Sequence, residues 1–441
     1  MNSRVVVFFG TGIFALLASA ATIGGCTAGA PDTPADPHGV AVEPPAPPAE
    51  PPAEPLPAPK CAAKAPAAAN SLLMVQAWFD MQNGKPMPQP AKMLIWRSGE
   101  SGWTSEEVLD EGSNVFHKAV VWRQGVLTIG AMGAALKHWK KEGDVWTSTT
   151  LFEKSWGGKF DRLRDLEIGD VNGDGKDDLV LATHDQGVVA VGSESDDGKW
   201  TFVEMDQAAD RFVHEIEIGD VDGDGKNEFY ATPSDRNRAS MESQPGGVVR
   251  YDWDGTTYVR SSVAQWDVSH AKEILVADID GDCTDELYAV REAHTKKDAA
   301  GAVQIIDPVR IFRVNKTADG WQQTDVASID DKQMRFIVPG DVDGDGRMDL
   351  VAASMKKGLF VMRLQAGNVF KAELIDADSG GFEHATHVAD LDGDGKIEIY
   401  VAADKQSKLN QYKWNGTKFD KATIGEIPKR HLTWNLQDGV L

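Results

Sequence analysis

Five acidic segments of one design carry most of the chemistry in this sequence: Asp170-Val-Asn-Gly-Asp-Gly, Asp220-Val-Asp-Gly-Asp-Gly, Asp278-Ile-Asp-Gly-Asp-Cys, Asp341-Val-Asp-Gly-Asp-Gly and Asp390-Leu-Asp-Gly-Asp-Gly. In the second, Asp220, Asp222, Asp224 and Glu228 place side-chain oxygens at positions 1, 3, 5 and 9, the backbone carbonyl of Lys226 falls at position 7, and Gly225 at position 6 permits a sharp turn. An oxygen-only donor set of this kind suits a hard cation, Ca2+. The equivalent donors are Asp170, Asn172, Asp174 and Asp178 with the carbonyl of Lys176; Asp278, Asp280, Asp282 and Glu286 with that of Thr284; Asp341, Asp343, Asp345 and Asp349 with that of Arg347; and Asp390, Asp392, Asp394 and Glu398 with that of Lys396. Up to five Ca2+ are expected, because stacked carboxylates without a cation repel one another. Solvated acidic turns without metal are the plain alternative. In the third segment Cys283 replaces the position-6 glycine, a change expected to disturb that loop.

A second pattern precedes the loops, at the start of the run leading into each: His117, Arg164, His214, His270, Arg335, His384 and His431. Alternation puts His214, Ile216, Ile218 and Asp220 on one face of a strand. Two readings stay open for this basic set. Each member could hydrogen-bond the backbone of a neighbouring unit as a fastener, since buried polar groups need partners. Alternatively the set forms a cationic mouth for an anionic ligand, binding more tightly as pH falls through about 6.5.

The elements that must position these groups repeat. The first aspartates of the loops are separated by 50, 58, 63 and 49 residues. An aromatic residue opening a strand recurs seven times, at Trp103, Trp146, Trp200, Tyr258, Trp321, Phe370 and Phe419, and so extends two units upstream of the acidic loops. Four short strands in each unit of about 50 residues describe a propeller blade. The expected fold is all-β, a seven-bladed β-propeller of four-stranded blades over residues 70–441, with six or eight blades as alternatives. The first unit lacks an inner strand, and His431-Leu-Thr-Trp-Asn-Leu-Gln-Asp-Gly at the C-terminus resembles one, so the C-terminus should complete the first blade and close the ring.

On these loops the chain resembles the FG-GAP/VCBS repeat propellers, which include integrin α-subunit heads, some lectins and some polysaccharide lyases. The resemblance is strong over residues 160–425 and implies Ca2+ in loops that carry no exiting helix and no glutamate at position 12.

Residues 1–26 read as an export signal: Arg4, an apolar run from Val5 to Ile23, then Ile23-Gly24-Gly25-Cys26. The last four resemble a bacterial lipobox, which implies cleavage before Cys26, lipid on its sulfur and a membrane partner; an uncleaved anchor is the alternative. Thr27 leans towards the outer membrane or cell surface of the envelope. Residues 27–69 are rich in Pro and Ala and should form an extended tether, on the order of 100 Å at full reach. Cys61 lies in this tether, and Cys61 and Cys283 are expected as two unrelated free thiols, with a disulfide between tether and ring as the alternative.

The net charge of −23 opposes a nucleic-acid partner. Two functions remain. The chain is expected to be a calcium-binding adhesion module for an anionic glycan or protein. An enzyme, a lyase acting on uronate-containing polysaccharide, is the alternative, with Arg164 and His117 or His214, and Lys272 nearby, as candidate groups.

Overall fold

The computed structural model describes residues 56, 58–61, 69–158, 161–208, 211–235 and 243–441. The lipobox, Cys26 and most of the tether lie outside the described residues.

The described chain is all strand and turn, arranged as seven antiparallel sheets with four strands in radial order, plus one separate hairpin. The innermost strands are His431–Gly439 in blade 1, then Phe116–Trp122, Leu163–Gly169, Arg211–Gly219, Ala271–Ala277, Met334–Gly340 and Thr386–Ala389 in blades 2 to 7. Each touches the next, and Thr386–Ala389 touches His431–Gly439, so the inner strands close a ring around a central channel. The seven aromatic residues of the sequence pattern all fall in the outermost strands, at or within one residue of their starts.

Closure is as the repeat pattern predicts. His431–Gly439 pairs antiparallel with Ser71–Gln82, in a register from Ser71 opposite Gly439 to Trp78 opposite His431. Inside this seam the buried Gln76 side-chain amide donates to Thr433 Oγ1 at 3.1 Å. Two short hairpins are added to the repeat, Lys85–Pro88 beside the first strand and His294–Lys297 with Val303–Asp307 in blade 5.

The apolar core is divided in the same way. Seven main clusters of buried side chains each join two adjacent blades, for example Val180, Val191 and Ala182 of blade 3 with Ile216, Phe229 and Tyr251 of blade 4. The last pair closes through Leu72, Trp96 and Leu436 of blade 1 with Tyr400 and Leu409 of blade 7. Each blade therefore buries both faces against neighbours, and no blade holds a core alone. The inner strands run through these slabs with the basic set at one end, the mouth, and the acidic loops at the other, the loop face.

Candidate functional site

At the loop face, carboxylate oxygens converge to within 4.8 Å of one another in four loops: Asp278, Asp280, Asp282 and Glu286; Asp390, Asp392, Asp394 and Glu398; Asp220, Asp222 and Glu228; and Asp341, Asp343 and Asp345. The turn is the same in each. The position-6 amide donates to the first aspartate, Gly225 to Asp220 at 2.8 Å, Gly346 to Asp341 at 2.9 Å and Gly395 to Asp390 at 2.8 Å. These glycines have φ between +82° and +86°, where a Cβ is strained. Cys283 takes the same conformation, φ +79°, and its amide donates to Asp278 at 2.9 Å, so the expected disturbance of this loop does not occur. The first loop differs. It keeps the turn, Gly175 donating to Asp170 at 2.8 Å, but Asp178 accepts from Ser193 at 2.5 Å and from the Asn172 amide at 3.2 Å, and its three aspartates do not converge.

The residues fit a cation. Asp349 Oδ2 is buried without a hydrogen bond, and burial followed by the nearby Asp343 pushes that carboxyl up to about 8. Burial likewise pushes Glu228 and Glu286 up to about 7. A cation beside them would restore the carboxylate form. The protein supplies part of that charge itself. Arg250 lies 2.6 Å from Asp222 and 3.2 Å from Glu228; Arg313 lies 2.8 Å from Asp280 and 3.1 Å from Glu286; Arg363 is 2.9 Å from Asp343; and Lys413 pairs with Asp392 and sits 3.3 Å from Glu398. All four come from the third strand of their blade.

Cys61 and Cys283 form a disulfide, with Cα atoms 5.4 Å apart, which overturns the expectation of two free thiols. The amides of Lys60 and Cys61 both donate to Gly281 O, at 2.7 and 2.9 Å, and a Cβ on Gly281 would meet Pro59 at 2.5 Å. Residues 59–61 are thus clipped onto the third acidic loop.

At the opposite end, the strand register explains which side chains reach the mouth. Each bulge inserts a residue that has no partner on the second strand: His117 between Phe116 and Lys118, Arg164 between Leu163 and Asp165, His214 with Glu215, Lys272 between Ala271 and Glu273, Arg335 between Met334 and Phe336, and Trp434 between Thr433 and Asn435. A bulge re-aims a side chain that plain alternation would send elsewhere. His384 precedes its strand and has φ +58°. Lys272 and Trp434, not His270 and His431, therefore hold the position in blades 5 and 1.

The basic set splits into four groups. His117 and His384 act as fasteners: His117 Nδ1 donates to Leu163 O of blade 3 at 2.5 Å, and His384 Nδ1 to Ser354 O of blade 6 at 2.8 Å while its Nε2 accepts from Ser379 at 2.7 Å. Arg164 and Arg335, from blades 3 and 6, converge on the buried Glu383 of blade 7 at 3.8 and 3.5 Å. His214 accepts from Lys272 Nζ at 2.7 Å, with the ring of His270 6.3 Å away. His431 leaves the group and stacks on Trp78 at 5.3 Å.

This geometry, five repeated acidic turns on a ring of blades, agrees with comparison to known proteins. The chain carries FG-GAP-like repeats. The match covers residues 170–231 and 341–401, the first, second, fourth and fifth acidic loops. No curated protein is similar enough to match the chain. Solved structures share the fold at low identity. A 6-phosphogluconolactonase-like protein from Bacteroides fragilis is 13% identical, with 84% of this chain and 98% of that one covered, TM-score 0.50. A protein from Lactobacillus plantarum is 10% identical, with 84% and 99% covered and TM-score 0.54. The periplasmic gluconolactonase of Pseudomonas aeruginosa is 11% identical, with 84% and 99% covered and TM-score 0.51.

Around the repeats' inner strands the charge is more mixed than in the cationic mouth, one of the two readings the sequence left open. Behind Arg164 and Lys272 lie the mutually repelling Asp165, Glu167, Glu215, Glu217 and Glu273, and Lys118 pairs with Asp165 at 2.8 Å and with Glu167. Burial and mutual repulsion hold Glu215, Glu217 and Glu273 well above the usual carboxylate range. Asp165 also accepts from the Ile216 amide of blade 4 at 2.6 Å, a fastener made by a carboxylate. The histidines are not poised near 6.5. Burial, and then neighbouring cations, hold His117 and His214 well below that value and His270 at about 4; burial holds His384 at about 4. Lys272 is the group near neutrality, pushed down to about 7 by burial, with Arg335 and Arg164 adding to the effect and Glu292 opposing it.

Lys272 was legible in one way. It stands six residues before Asp278, as Arg164, His214, Arg335 and His384 stand six before their own loop aspartates, whereas His270 stands eight before.

Proposed function

We propose that this chain is a lipid-anchored binding module of the bacterial cell envelope, whose Ca2+-braced propeller holds an anionic group of a glycan or protein at the channel mouth. One observation carries the reading: Arg164 and Arg335 converge from opposite sides of the channel on one buried point, and Arg335 Nε has no acceptor there. A buried guanidinium N–H without a partner is costly, and a ligand carboxylate supplies the acceptor. The FG-GAP-like loops at the far end of the same inner strands would hold Ca2+ and stiffen the strands that carry these arginines. The lipobox and the tether are the support for placing the module at a membrane. Position along the inner strand thus separates bracing from binding.

A second reading, lyase action on a uronate-containing polysaccharide, is favoured by the Lys272–His214 contact of 2.7 Å, which offers a proton acceptor close to two guanidinium groups. Incubation with a panel of acidic polysaccharides separates the two. The binding reading expects retention on one or more of them without ultraviolet-absorbing unsaturated products. Accumulation of such products would replace it with the lyase, and neither retention nor products would remove both.

A further inference from the structure

We propose that Lys272 is a nucleophilic amine that condenses with small anionic carbonyl compounds at the mouth, their carboxylate held by Arg335 and Arg164. The site rests on the mouth reading above for its anion-binding half and adds covalent chemistry to it.

Lys272 is 4% exposed, and the charges acting on it are Glu292 of its own blade, Arg335 of blade 6, Arg164 of blade 3 and Glu383 of blade 7. Groups from blades this far apart meet only across the central channel, so the side chain faces the channel. No carboxylate oxygen of the described residues lies within 4.0 Å of its Nζ; the hydrogen bond it makes is to His214 Nε2 at 2.7 Å. Most buried lysines are paired with a carboxylate that keeps them charged. Here an imidazole is the hydrogen-bond partner, and the Arg335 and Arg164 guanidinium groups act against the Glu292 and Glu383 carboxylates, so burial tips the balance towards the free amine. The value near 7 agrees with that arrangement.

The surroundings are unfinished as a hydrogen-bond network. Arg335 Nε and both oxygens of Glu383 are buried without hydrogen-bond partners. Neither ring nitrogen of His270 makes a hydrogen bond of good geometry, the Glu292 carboxylate standing 3.8 Å away. Glu292 is held by the Gln333 amide at 2.7 Å. Buried groups left this way, from three blades around one amine, call for a ligand that brings an anionic acceptor for Arg335 and a hydroxyl that can donate to Glu383. A 2-oxo acid supplies the acceptor and the electrophile an amine takes, and the hydroxyl formed as the amine adds supplies the donor.

The step balances without a further reagent. The Nζ lone pair adds to the carbonyl carbon and the π pair moves to oxygen. His214 carries the two protons of the amine, one after the other, to that oxygen, which leaves as water, and a C=N bond remains.

The test uses glyoxylate and the uncharged glycolaldehyde, each with cyanoborohydride as the hydride donor that fixes the imine, on the full protein at pH 7.5, followed by peptide mapping. An unperturbed lysine is about a thousandth free amine at this pH, so Lys272 should be labelled on the order of 100-fold faster than exposed lysines. Glyoxylate should outpace glycolaldehyde at Lys272, and Arg335→Gln should lower the ratio of the glyoxylate rate to the glycolaldehyde rate about tenfold, one lost charge-assisted contact, the ratio cancelling the effect of the lost guanidinium on the amine itself. Lys272→Arg should abolish the selective label, with an unchanged Ca2+-dependent melt showing that the ring still closes. Labelling confined to exposed lysines overturns the amine assignment and leaves anion binding by the arginines intact. Selective labelling of Lys272 with no preference for glyoxylate overturns the ligand assigned, and the anion-binding mouth with it.

Discussion

Breaking the Cys61–Cys283 bond should destabilise the ring and weaken one metal loop, and the structure sets the size of both effects. The bond joins residues 222 apart, so in the unfolded chain it closes a long loop, worth about 5 kcal/mol by chain entropy as an upper bound. The native side opposes about 1 kcal/mol of this, because Cys283 holds the left-handed φ of the position-6 glycines with a Cβ in place. Cys61→Ser should therefore cost about 3–5 kcal/mol. With an unfolding entropy of ~2.1 cal/mol/K per residue over a ring of this size, that is a fall in Tm of about 5 °C. Cys61→Ser combined with Cys283→Gly should recover about 1 kcal/mol, since glycine takes a left-handed backbone without strain. Differential scanning calorimetry at saturating Ca2+ reads both. Because the amides of Lys60 and Cys61 hang on Gly281 inside the loop, Cys61→Ser should also weaken Ca2+ at Asp278, Asp280, Asp282 and Glu286 relative to the other loops. Identical melts for wild type and Cys61→Ser under non-reducing conditions would refute the clip.

Other outcomes follow from the same geometry. Chelation should lower Tm by several degrees, since each ion bound only to the folded ring adds RT ln(1 + [Ca2+]/Kd); a melt unchanged after confirmed metal removal would contradict the loop assignment. Deleting residues 430–441 removes the inner strand of blade 1 and leaves Leu72 and Met74 without Leu436, about 2 kcal/mol for that side chain alone, besides an unpaired strand edge, so light scattering should show aggregation. His270 and His384 are held at about 4 in the folded ring and return to about 6.5 when it unfolds, so the unfolded chain binds more protons between those values. The contribution of these two imidazoles should be flat above pH 6.5 and fall as pH drops from 6.5 to 4, by up to ~3 kcal/mol for each; His384→Gln should flatten part of that slope in urea titrations.

The features readable from sequence were those with fixed local spacing. The acidic turns need oxygens at alternate positions and a left-handed residue at the sixth, and the outer-strand aromatics recur once per blade. The closing strand showed itself because the first unit lacked one. What escaped depends on contacts between distant segments. Alternation alone put His214 with Ile216, but a bulge in the inner strand breaks that phase, which hid Lys272 and Trp434. The loop cations Arg250, Arg313, Arg363 and Lys413 arrive from two strands away, and nothing in their spacing links them to an aspartate until the sheet is built. A bond between cysteines 222 residues apart has no local signature at all.

The central claim, an anion-binding mouth braced from the far end of the same strands, is tested most directly by isothermal titration of the acidic polysaccharide retained in the panel against wild type and Arg164→Gln/Arg335→Gln, each with Ca2+ and each also melted. The account predicts that the double substitution weakens binding by at least ~10-fold, leaves the Ca2+-dependent melt in place, and that wild-type affinity rises as pH falls through about 7, where Lys272 gains its charge. Unchanged affinity in the double variant, with or without lost stability, would contradict it and leave the arginines as structural partners of Glu383.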